Sequence, residues 1–91
     1  MKYRSRIEIT GLILESAKAG ATKTRIMYKA YLSYFQVGEY LKYLQQNDLI
    51  VLEHGTQLYR PTKKGLRFLN LSNDLSEMSM ITHPKFNKNN Q

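Results

Sequence analysis

The chain has 91 residues, 42% of them hydrophobic, no cysteine and a formal net charge of +7. That length builds one domain around one core and leaves no room for a deep catalytic cleft beside a regulatory module. Disulfides and cysteine-based zinc sites are excluded, and no apolar run approaches the roughly 20 residues of a membrane span.

The opening MKYRSRIEIT has basic residues without a continuous apolar stretch behind them, so it does not read as a signal peptide. The expected setting is the cytoplasm. Residues 1–70 hold 12 Lys and Arg against 5 Asp and Glu, whereas residues 71–91 hold 2 against 2. The excess therefore sits on the part expected to fold, where it forms a fixed electrostatic footprint, and a polyanion is its natural partner.

The first periodic segment runs from about Arg4 to Ala19, with Ile9, Ile13 and Ala17 on one face, Leu14 beside them, and Gly20 ending it. Thr22 or Thr24 is placed to cap a second, short helix from about Lys23 to Tyr31, whose Ile26, Met27 and Ala30 have helical spacing. Ser33 and Gln36 have the capping-box spacing that starts a third helix. Within it Tyr34, Val37, Leu41 and Leu44 predict a buried stripe. QQND stops that helix, and LIVLE is rich in strand-favouring branched residues. HGT predicts a turn with Gly55 at positive φ, QLYRP a second strand closed by Pro61, and TKKGLRFLNLSNDLSEM a last helix opened by Thr62. After Met78 the period is lost, which divides the chain into a domain over 1–78 and a polar flexible tail over 79–91.

The order α-α-α-β-β-α predicts a mainly α protein with a small β-hairpin, an α+β winged helix-turn-helix. Its third helix is the one offered to a DNA major groove.

RSRIEITGLILESAKAGATKTRIMYKAYLSYFQVGEYLKYLQQNDLI, with LYRPTKKGLRFL after the hairpin, resembles the archaeal winged-helix family of small transcriptional regulators. That family includes a dimeric, chromatin-associated DNA-binding protein. The likeness covers roughly residues 3–72, and its most specific pieces are ATKTRIMYKAYLSY and TKKGLRFL. It implies double-stranded DNA binding by a winged helix, with nucleoid association. In the chromatin-type members it also implies a dimer through a long C-terminal antiparallel coiled coil. Here Phe68, Leu71, Leu75 and Met78 keep heptad-like spacing for only about three turns, and Pro84 stops any helix. A short homodimer contact through these four residues and a monomer are both left open.

With Tyr34 taken as core, the outward side of the third helix carries Gln36, Glu39, Tyr40 and Tyr43, with Phe35 at its N-terminal edge. Phe35, Gln36, Glu39 and Tyr40 are the base-contact candidates. Gln suits adenine, Glu accepts from cytosine N4, and an aromatic ring meets a thymine methyl. Tyr43 joins Ser33 as a backbone candidate, and both Tyr40 and Tyr43 are divided between DNA and packing. Lys23, Thr24 and Arg25, at the start of the second helix, make a phosphate clamp. His54, Gly55, Thr56 and Gln57 form the wing tip, and Arg60, Lys63 and Lys64 its basic base. Gly38, in mid-helix, lets the third helix lie close to DNA or to the second helix, or is neutral.

No cysteine nucleophile, phosphate-cradling glycine loop or Ser-His-Asp spacing points to an enzyme, and His54 and His83 belong to no ligand cluster. No cofactor, metal, membrane or small-molecule ligand is expected. The competing reading is a protein-interaction module that uses the exposed aromatic face.

Overall fold

The computed structural model describes residues 4–82. The elements are α1 (Arg6–Ser16), α2 (Lys23–Lys29), α3 (Tyr34–Gln46), β1 (Ile50–Glu53), β2 (Leu58–Pro61) and α4 (Lys63–Thr82). This is the expected α-α-α-β-β-α winged-helix order. α4 runs through Thr82, past Met78, after which the sequence predicts a polar tail. Residues 83–91, with the helix stop at Pro84, lie outside the described residues.

The helix ends follow local chemistry. Ser5 caps α1 in a reciprocal box with Glu8, so the helix begins at Arg6 rather than Arg4. Arg4 reaches across instead and donates to the carbonyl oxygens of Ala30 and Tyr31 (2.8 Å for the second), covering acceptors at the end of α2. Thr22, not Thr24, caps α2, its hydroxyl accepting from the Arg25 amide at 3.2 Å. Both α2 and α3 close in Schellman motifs. Leu32 donates to the Met27 carbonyl at 3.0 Å around Tyr31, and Leu49 to the Leu44 carbonyl at 2.8 Å around Asp48. Tyr31 (φ 56°) and Asp48 (φ 59°) thus take the left-handed conformation usually left to glycine.

Ile13 and Leu14 of α1 with its C-cap Ala17, Ile26 of α2 with its C-cap Ala30, and Val37, Leu41 and Leu44 of α3 form one core with Leu49, Ile50 and Leu69. Burying a Leu or Ile side chain contributes about 1.5–3 kcal/mol. Tyr34, expected in this stripe, is 67% exposed. It is the first residue of α3, where side chains lean back over the preceding turn and away from the helices below. Leu32, buried just before the Ser33 cap, takes that corner and occupies the staple position opposite Val37.

The strands pair antiparallel, with Val51 opposite Arg60 and Glu53 opposite Leu58. Ala21 adds an isolated bridge to Tyr59, so the segment between α1 and α2 holds the hairpin against the domain. The left-handed residue of the hairpin turn is Gln57 (φ 61°), not Gly55. The Gln57 amide donates to the Glu53 carbonyl at 2.7 Å, which wraps the tip as a helical turn. The reversal into β2 then falls on the last loop residue.

Candidate nucleic-acid interface

With Val37, Leu41 and Leu44 inward, the residues directly opposite on α3 are Phe35, Glu39, Lys42 and Gln46, at i, i+4, i+7 and i+11, all exposed. The outward face is therefore rotated from the expected one. Tyr40 is half-buried and packs on the core. Tyr43 (42% exposed) and Gln36 flank the face rather than centre it. Gln36 is also committed: its Oε1 accepts from the Ser33 amide at 2.9 Å while Ser33 Oγ accepts from the Gln36 amide. Only its side-chain NH2 is uncommitted, so bidentate pairing with adenine requires the capping box to open. Lys42 was missed in the sequence. Counting outward from the Val37–Leu41–Leu44 stripe without Tyr34 would have found it.

The clamp expected from Lys23, Thr24 and Arg25 divides. Half-buried Lys23 turns toward α3, with its ammonium 4.2 Å from the centre of the Tyr34 ring. Gly38 faces the same ammonium, and a Cβ there would stand 3.4 Å from it, an ordinary contact. Arg25 lines a shallow groove of about 710 Å³ with Lys18 and Lys29, between α1 and α2. Thr24 is exposed. A second cation joins α3 from α1, where the Arg6 guanidinium lies 5.6 Å from the centre of the Tyr43 ring. Arg6, Glu39, Tyr40 and Tyr43 line one small surface hollow. No local sequence signal pairs Arg6 with Tyr43, because 36 intervening residues bring them together.

At the wing, His54, Gly55, Thr56 and Gln57 are exposed at the tip. Arg60 is held by Glu53, with Nε to Oε2 at 3.2 Å, and its guanidinium lies against Gly20, where a Cβ would come within 3.0 Å of Cζ. The Thr56 hydroxyl donating to Glu53 holds that carboxyl below its ordinary 4.5, opposed by slight desolvation and assisted by Arg60. Lys64 donates to the Asn47 carbonyl at 3.0 Å and so braces the end of α3. Of the three cations expected at the wing base, only Lys63 has no partner among the described residues.

Along α4, Phe68 is half-buried against the core, while Leu71 (59%), Leu75 (61%) and Met78 (59%) are exposed in one stripe. Among the described residues no three His, Asp or Glu side chains come together as metal ligands, and no helix is long and apolar enough to cross a membrane.

A family model described as winged helix-turn-helix matches residues 3–80. No curated protein matches the sequence. Among solved structures, the fold is similar to that of Sso10a-2, a DNA-binding protein from Sulfolobus solfataricus. The TM-score is 0.78 at 20% identity, over 90% of this chain and 88% of that one. It is also similar to Lactococcus lactis ZitR, solved in complex with DNA. There the TM-score is 0.71 at 20% identity, over 94% of this chain and 62% of that one.

Proposed function

The chain belongs to this winged helix-turn-helix family, and we propose that it is a sequence-specific double-stranded-DNA-binding protein, an archaeal transcriptional regulator. In this reading α3 enters the major groove and the β1–β2 wing lies on the adjacent backbone or minor groove. The observation that carries it is the outward face of α3. Phe35 (74% exposed), Glu39, Lys42 and Gln46 stand clear of the core, and Lys42 has no acidic partner among the described residues. Phe35 suits a thymine methyl, Glu39 a cytosine amino group, and Lys42 a guanine edge or a phosphate. Lys23, Lys63 and the wing-tip residues His54 and Gln57 suit backbone positions, which orient the protein without reading sequence, whereas Thr56 gives its one hydroxyl hydrogen to Glu53. Two proteins of the same fold bind DNA, which supports this choice of partner.

The exposed Leu71, Leu75 and Met78 stripe, with Phe68 behind it, suits a two-fold contact between copies of α4. A dimer of that kind would present two α3 helices to paired half-sites.

Exposed Tyr28 (70%), Tyr31 (80%) and Phe35 favour one rival, a protein-binding face. Binding to a random duplex and to the DNA upstream of the protein's own gene, each over a salt series, separates the readings. A log–log slope near −5, about six phosphates neutralised, with preference for the upstream duplex is the expected result. Equal binding to both duplexes replaces the regulator by a chromatin-type binder. No binding at moderate salt leaves the protein-interaction reading.

A further inference from the structure

Two aromatic rings of α3 each carry a cation contributed by a different helix. Tyr34 holds Lys23 of α2 at 4.2 Å, and Tyr43 holds Arg6 of α1 at 5.6 Å. Tyr34 and Tyr43 are nine residues apart, which on an α-helix is two and a half turns and about 13 Å of rise. Two and a half turns place the rings on opposite flanks of the helix. Between those flanks lies the exposed face of Phe35, Glu39, Lys42 and Gln46. The B-DNA major groove is about 12 Å wide, with a phosphate strand along each wall.

We infer that Tyr34 and Tyr43 are positioning residues that pre-set Lys23 and Arg6, one for each phosphate wall of the groove entered by α3. The inference rests on the DNA-binding reading and adds to it a role for both rings and a contact for Arg6. Neither cation has an acidic partner among the described residues, so binding breaks no ion pair. A long side chain that is already stacked loses less rotamer freedom when it meets a phosphate. The tyrosine hydroxyls take no part in it.

Three sets of variants of the full chain test this, by duplex binding over a salt series with circular dichroism to establish folding. Lys23→Ala and Arg6→Ala should each flatten the salt slope by about 0.9. Tyr34→Leu and Tyr43→Leu should each weaken binding about twofold to fivefold, the factor expected of an exposed cation–ring contact. Tyr34→Phe and Tyr43→Phe, which keep the rings, should restore binding. The Leu substitutions should cost nothing further once the matching cation is removed. Leu and Phe variants that bind equally weakly would mean that the hydroxyls themselves touch DNA, which overturns the inference. So would a full Leu effect in the Lys23→Ala or Arg6→Ala background. A wild-type chain that binds no duplex overturns the DNA reading and this inference together. Binding with unchanged slopes in both cation variants overturns this inference alone.

Discussion

Gly65 packs its bare α-carbon against the backbone carbonyl of Leu49, and a Cβ at that position would overlap the oxygen. The same carbonyl accepts from the Thr62 amide at 3.1 Å, and the Thr62 hydroxyl accepts from the Gly65 amide at 2.9 Å. Through these contacts the first turn of α4 is seated on the chain that links α3 to β1. Gly65→Ala is therefore expected to destabilise the domain by about 1–3 kcal/mol despite alanine's better helix propensity. Thermal unfolding reads this as a fall of about 4–8 °C per kcal/mol. A variant as stable as the parent would show that α4 can shift without cost.

Tyr31 is 80% exposed and sits at φ 56°. A left-handed conformation costs a side-chain-bearing residue about 1–2 kcal/mol, part of which glycine returns as lost backbone entropy. Tyr31→Gly should leave stability unchanged or raise it by up to about 1 kcal/mol. A weaker complex from an equally stable protein would place Tyr31 at the partner surface. A clear loss of stability would instead show that its ring packs in solution.

The wing has a built-in restraint in the Glu53–Arg60 pair. The carboxyl of Glu53 is held below 4.5, so its contacts are complete above that value and are lost as pH falls through the lowered one. An NMR titration should place the Glu53 midpoint below 4.5, with Thr56 and Arg60 signals moving with it. A midpoint at or above the ordinary value would contradict the geometry. At neutral pH, Glu53→Gln should release Arg60, tighten duplex binding and steepen the salt slope by about 0.9. An unchanged slope would mean that Arg60 does not reach a phosphate.

Leu75→Glu places a charge in the middle of the exposed α4 stripe. In the dimeric reading, sedimentation equilibrium should show a wild-type dimer and a monomeric variant with unchanged circular dichroism. A monomeric wild type at tens of micromolar protein would remove the α4 contact from the proposal, since a specific interface holds well below that concentration.

Much was legible in the sequence because it is local. The capping box of Ser33 and Gln36, the stop at Asn47 and Asp48, and the Val37–Leu41–Leu44 stripe depend on neighbours within a few turns, and residue order displays them directly. The winged-helix order followed from the same signals, taken together with the resemblance of residues 3–72. Even so, one local rule misled. Spacing alone put Tyr34 in the stripe, although at the first turn of a helix a side chain need not overlie the core.

The tertiary structure decided what lies between elements. Whether Arg25 joins Lys23 at α3 or Lys18 and Lys29 at a separate groove depends on how α2 is rotated against its neighbours. The pairing of Arg6 with Tyr43 depends on where α1 crosses α3, and the seat of Gly65 on where α4 meets the Leu49 carbonyl. Periodicity in a single helix fixes which side is apolar. It does not fix which partner fills that side, because this is set by how all the helices pack at once.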